Sequence, residues 1–226
     1  MDLNEFKIRF RQIQSKGYVK SLREGPTGIG MTLETLLGIH ENNISLPDID
    51  GIELKAHRED SNNMITLFTF NRGAWVMDPL EAIKKYGTPD SNGRLGLYFT
   101  MSFRPNNAGL FLYADDQYVM VRHIDGSTIV RWRFDDLQNQ FEQKIPAIII
   151  VYARVEERID GEYFNFYKAI LYKGANKDII RDSILNGIIL IDLRLHYAGT
   201  MARNHGTGFR VHPTDLPKVF ASAEVL

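Results

Sequence analysis

Leu46-Pro-Asp-Ile-Asp-Gly-Ile-Glu-Leu-Lys-Ala-His57 sets three acids and a lysine into a short, largely apolar segment around which the rest of the chain is organised. Asp50-Gly51 is a turn dipeptide, and from Ile52 onward the chain has the makings of a strand. Residues two apart on a strand share a face. Glu53 and Lys55 therefore point one way, while Ile52 and Leu54 point the other. A charged pair in an otherwise apolar segment costs desolvation unless it has a partner or a task. With Asp48 ahead of the turn, two carboxylates and one amine fall close together, a set able to hold a hard divalent cation beside an activated water. A hairpin decorated with exposed charges explains the same spacing and stands beside that reading.

Upstream, Gly25-Pro-Thr-Gly-Ile-Gly30 leads into a helix expected over 31–39, with Leu33, Leu36, Leu37 and Ile39 apolar and Glu34 in its first turns. Glu34 is either an acid placed where the helix dipole favours it or part of a site. The glycine-rich loop lacks the lysine and Ser/Thr of a P-loop and does not fit the dinucleotide fingerprint. A helix entry or a loop approaching a phosphate explains it. Leu3, Phe6, Phe10 and Ile13 recur at helical spacing and predict a first helix over 3–15.

Downstream, Met64–Phe70 reads as a strand, joined antiparallel to the 52–57 strand through the polar 57–63 connection. Asp78-Pro79 opens a short helix to about Tyr86, and 95–134 reads as a β-meander of three or four strands. Asp135 is expected to cap a helix carrying Leu137, Phe141 and Ile145. Ala147–Tyr152 is a buried strand turning at Asp160-Gly161 into 163–172, and Asn176 opens a helix through Leu185. Ile188–Leu195 is another strand, and the tail from Pro213 reads as a short helix and loop. Helices and strands mix without regular alternation, which predicts an α+β fold with a mixed sheet rather than a doubly wound α/β one.

The 226 residues suit one domain with a core, 44% hydrophobic and 24% charged, which excludes a largely disordered chain. No apolar run approaches the ~18 residues of a membrane span, and 1–20 contains no signal-peptide h-region. The expected location is the cytoplasm, with no membrane partner. Zero cysteines exclude disulfides, thiolate nucleophiles and cysteine-ligated metals, and no Gly-x-Ser-x-Gly elbow occurs. With 27 basic and 28 acidic residues there is no global positive field, so any phosphate contact must come from basic residues gathered locally.

Such a gathering runs from Arg194 to His212. Arg194, His196, Arg203, His205, Arg210 and His212 hold three of the six histidines of the chain. One reading is a polar loop closing a hairpin between strands near Leu193 and Val211. Another is a mobile basic loop entering a DNA groove, where arginine donates bidentately to guanine. Metal binding by the histidines is a third.

Thr27-Gly-Ile-Gly30 with Glu34, Leu46-Pro-Asp48, Ile52-Glu-Leu-Lys55 with His57, Leu67-Phe-Thr69 and Arg72-Gly-Ala74 occur in an order that resembles the MvaI/BcnI restriction endonuclease family. Phe134-Asp-Asp-Leu-Gln-Asn-Gln140 and His205-Gly-Thr-Gly-Phe-Arg210 continue the likeness, which spans about 17–212. These proteins are related to the nicking enzyme MutH and to the PD-(D/E)xK nucleases. The resemblance implies a restriction-endonuclease-like mixed sheet flanked by helices, as one nuclease domain over 1–226. Its two interleaved lobes around a cleft would be a catalytic core centred on 25–75 and recognition elements including 190–212.

It further implies a type II restriction endonuclease of prokaryotic cytoplasm, monomeric on double-stranded DNA. Such an enzyme cuts a near-palindromic CC-N-GG-like site one strand at a time, with Mg²⁺ as cofactor and Mn²⁺ as substitute. A cognate DNA methyltransferase would belong to the same system without being a subunit. Carried over by position, Asp48 and Glu53 with the Leu54 carbonyl hold the metal. Lys55 serves the attacking water, and Glu34 supports the metal shell. Arg194, Arg203, His205 and Arg210, with His57, Arg72 and Thr27, contact DNA. A MutH-like nicking enzyme and a catalytically silent DNA-binding module are the alternatives.

Overall fold

The computed structural model describes residues 1–39, 49–175 and 178–226. In chain order its elements are α1 (Leu3–Ser15), β1 (Tyr18–Lys20), α2 (Gly28–Leu37), β2 (Glu53–Arg58), β3 (Ile65–Thr69), α3 (Pro79–Tyr86), β4 (Thr88–Pro89) and β5 (Leu95–Met101). Then come β6 (Leu110–Ala114), β7 (Tyr118–His123), β8 (Thr128–Arg133), α4 (Phe134–Lys144), β9 (Ala147–Arg158), β10 (Gly161–Ala175), α5 (Asp178–Leu185), β11 (Ile189–Tyr197), β12 (Ala202–Asn204) and β13 (Gly208–Val211). A 3₁₀ turn (Pro213–Lys218) and β14 (Phe220–Val225) end the chain. Asp48, Leu46 and Pro47 at the head of the 46–57 stretch, and Asn176 as helix opener, lie outside the described residues.

Two compact units divide the chain. The first, made of Met1–Asn63, Lys144–Ala175 and Leu216–Leu226, is built on a sheet ordered β1-β10-β9-β2, with β14 also paired to β10. Ile148, Ile149, Ile150 and Val151 are fully buried, because β9 is an interior strand. One face of this sheet packs Leu54, Ile149, Val151, Phe164 and Phe166 against Phe6, Phe10 and Ile13 of α1 and Leu33 and Leu37 of α2. α1 starts where expected, with the Asp2 carboxylate accepting the Glu5 N–H at 2.8 Å.

The second unit, Met64–Gln143 and Asn176–Asp215, holds an antiparallel sheet ordered β3-β13-β11-β5-β4 with β12 on β11, and a three-stranded sheet β6-β7-β8. Its core includes Trp132, whose ring meets Phe209 edge-on at 5.6 Å and whose Nε1 donates to the Phe70 carbonyl at 2.9 Å. The mixed α+β character expected from the sequence is thus present.

Several local expectations are corrected. β2 and β3 do not pair. β2 runs parallel to β9, with Glu53 opposite Ile148 and Lys55 opposite Ile150, while β3 pairs with β13 in the other unit. Parallel strands need a crossover, and the connection from β2 to β9 contains the stretch Met64–Gln143 of the second unit. β5 leaves the expected meander to pair with β11. α2 starts at Gly28 rather than Met31, and α4 at Phe134, which leaves Asp135 inside its first turn. The tail makes only a 3₁₀ turn, since Pro217 denies an α-helix a backbone donor. It then returns as β14, pairing Val225 with Ile170.

Candidate active site

The turn read at Asp50-Gly51 is a tight hairpin. Asp50 and Gly51 have φ of +44° and +83°, both left-handed, as a type I′ turn demands. Ile49 and Ile52 flank it, the Ile49 N–H donating to the Ile52 carbonyl at 3.1 Å and the Ile52 N–H returning a bond to the Ile49 carbonyl at 2.7 Å. Ile49 is fully buried and anchors the turn in the core of the first unit. β2 leaves this turn as a border strand among the described residues.

Alternation along β2 sends Leu54 into the core and leaves Glu53 and Lys55 on the opposite face. Lys55 Nζ lies 2.7 Å from Glu53 Oε1, with side chains 28% and 26% exposed. The pair is half-buried and open enough for either group to turn to a ligand. Glu34 of α2 shares a depression with Lys55. Thr27, Gly30 and Glu34, with Arg23, Leu54 and Lys55, line this depression of about 360 Å³. The glycine-rich entry is needed for packing, since a Cβ on Gly28 would lie 2.2 Å from the Arg23 carbonyl oxygen.

His57 continues the Glu53–Lys55 face but is buried. Its Nε2 lies 3.1 Å from the Ser61 carbonyl, and its ring meets Tyr152 edge-on at 5.8 Å. Burial lowers its pKa, against a smaller opposite effect of the Ser61 carbonyl. Among the described residues no group of three or more His, Cys, Asp or Glu is placed to hold a metal ion. Asp48 lies outside those residues.

The basic cluster of the second unit is mostly strand rather than loop. β11 pairs successively with β12 and β13. Asp192, Arg194 and His196 alternate on one face of β11, and cross-strand register adds Arg203 of β12 beside His196. Arg210 joins through an ion pair to Asp192 at 2.7 Å and a bond to the Met64 carbonyl at 2.9 Å. Arg194 donates to the Gly206 carbonyl at 3.2 Å. His196 is buried, accepts or donates at Tyr98 Oη at 2.7 Å, and stacks on His205 at 5.4 Å. Arg203, His205 and Arg72 are exposed. Spacing alone missed Asp192, Thr100, whose hydroxyl donates to Asp192 at 2.7 Å, and Asn71. A lone acid in the apolar run 188–195 was the available signal for Asp192.

The family model of the MvaI/BcnI restriction endonuclease family matches residues 8–220. The chain belongs to the MvaI/BcnI restriction endonuclease family. Its enzyme class is that of the type II site-specific deoxyribonucleases. Among solved structures, a complex of restriction endonuclease MvaI with its cognate DNA substrate superposes with TM-score 0.83 at 27% identity, covering 99% of this chain and 97% of that one. MvaI in the absence of DNA superposes with TM-score 0.54 at 28% identity, covering 99% and 96%. No curated protein sequence matches the chain. No helix among the described residues is long and apolar enough to cross a membrane.

Proposed function

We propose that this member of the MvaI/BcnI family hydrolyses duplex DNA at a short near-palindromic site of the CC-N-GG kind, requiring Mg²⁺ and accepting Mn²⁺. It acts as a monomer that cuts one strand and then the other, in prokaryotic cytoplasm beside a separate cognate methyltransferase. One observation carries the reading: Glu53 and Lys55 pair at 2.7 Å on a border strand, and Lys55 shares a depression with Glu34. We read the unit holding β2 as the cutting lobe of one nuclease domain spanning 1–226, and the other unit as its reading lobe.

The donors suit a hard cation, because Glu53, Glu34 and the Leu54 carbonyl offer only oxygen. Asp48, Glu53 and Leu54 are the assigned ligands, with Glu34 in support. When bound, the cation supplies positive charge to the phosphoryl oxygens and acidifies water. Lys55 orients the attacking water and stabilises negative charge growing on the phosphoryl group. The P–O3′ bond breaks as the new P–O bond forms, leaving a 5′-phosphate and a 3′-hydroxyl. Arg72, Arg194, Arg203, His205 and Arg210 contact the DNA, with Thr27 at the rim of the depression. His57, which follows Lys55 on the same face, is counted among the DNA contacts, with its ring packed edge-on against Tyr152.

Purified protein, mixed-sequence plasmid and Mg²⁺ test this directly. Discrete linear fragments that vanish with chelator and return with Mg²⁺ or Mn²⁺ support it. Relaxed circles alone after long digestion would instead make the protein a nicking enzyme of the MutH kind. Specific binding with no metal-dependent cleavage would make it a silent DNA-binding module.

A further inference from the structure

We propose that Asn71 is a positioning residue for sequence discrimination, locking the turn between β12 and β13 so that His205 is held in the geometry that reads base edges. The proposal rests on the assignment of His205 as a DNA contact. Asn71 lies just beyond β3, beside the Arg72-Gly-Ala74 motif, and uses both ends of its amide. Its Oδ1 accepts the Thr207 N–H at 3.2 Å, and its Nδ2 donates to Asn204 Oδ1 at 3.2 Å. The same Asn204 oxygen accepts the Gly206 N–H at 2.9 Å, so one short network spans the residues on both sides of His205.

Arg194 closes the turn from the sheet side. The His205 N–H donates to the Arg194 carbonyl at 2.9 Å, and the Arg194 guanidinium donates to the Gly206 carbonyl at 3.2 Å and the His205 carbonyl at 3.5 Å. Backbone donors and acceptors of the turn are thus taken up by protein, while the His205 side chain stays exposed. That is the arrangement a base reader needs, a fixed backbone and an exposed ring steadied on one side by His196, because a misplacement near 1 Å is enough to spoil a hydrogen-bond match. Asn71 suits the task through its two-ended amide. Aspartate there would keep the acceptor for Thr207, lose the donor, and set a carboxylate against the Asn204 oxygen.

The test compares wild type, Asn71→Ala, Asn71→Asp, Asn204→Ala and the Asn71→Ala/Asn204→Ala pair on the mapped site and on duplexes with one base pair changed. Cleavage gives KM and kcat. Fluorescence anisotropy in chelator gives the binding ratio between the duplexes, so discrimination is read even if the cutting assignment fails. The expected result is a loss of about 10-fold in discrimination and a matching rise in KM for Asn71→Ala, with kcat on the mapped site and melting temperature held. Asn71→Asp should lose at least as much, and the double variant should lose less than the sum of the two single losses, because the two residues share one bond. Unchanged discrimination, additive losses in the double variant, or an equal loss on every duplex with a lower melting temperature would each overturn the proposal.

Discussion

Two charged pairs interrupt otherwise apolar strands, one in each unit, and they are built differently. Glu53 and Lys55 stand two residues apart on one strand, so the pleat alone brings them together. Asp192 and Arg210 are 18 residues apart and meet through antiparallel register, with Asp192 opposite Gly208 and Arg210 opposite Leu190. Their surroundings differ too. The first pair keeps more than a quarter of each side chain exposed, whereas Arg210 and Asp192 are 21% and 11% exposed. Arg210 also serves the Met64 carbonyl, and Asp192 accepts from Thr100. The first pair can open towards a ligand at small cost, and the second is tied into its sheet.

That contrast breaks if removing a charge does the same damage in both places. Glu53→Gln should cut the cleavage rate by roughly 10²–10³-fold with DNA affinity and melting temperature nearly kept, as single-turnover kinetics and anisotropy would show. Arg210→Ala should lose about 3 kcal/mol of stability in urea titrations, because Asp192 stays buried without its cation, in addition to weakening binding and site choice. Replacing both, as Asp192→Leu with Arg210→Met, should recover much of that stability without restoring site choice.

The smallest effect concerns His57. Burial lowers its folded pKa, so the unfolded chain takes up the proton more readily below its ordinary value near 6.5. His57 therefore lets stability fall as pH drops from about 6.5 through the folded pKa. Denaturation of His57→Gln between pH 7.5 and 5 should show a shallower decline than wild type. An identical decline would mean that His57 takes up its proton in the folded state as readily as in the unfolded one.

The same contrast explains what was legible in the sequence. The Asp50-Gly51 turn, the shared face of Glu53 and Lys55, α1 and the Asp78-capped α3 follow from local rules, and the structure has them. Partner choice does not. Nothing in Glu53–Arg58 or Ile65–Thr69 says that one joins β9 and the other β13, since both patterns suit a simple hairpin equally. Arg194 and Arg210 were visible as cations, but the bonds that engage them depend on Asp192, Met64 and Gly206, which only register brings close. Asn71 was invisible for the same reason, lying over a hundred residues from Asn204. The tail misled because its short apolar spacing suits a helix, while the free edge of β10 beyond β1 offers a strand partner that local pattern cannot reveal.

The most direct measurement pairs cleavage with binding for Lys55→Ala on the mapped duplex, cleavage in Mg²⁺ and binding in chelator. Wild-type affinity and a wild-type melting temperature with cleavage lost are expected, because Lys55 faces away from the core and acts on the water and the phosphoryl group. Cleavage by a folded Lys55→Ala protein at the wild-type rate would contradict that role.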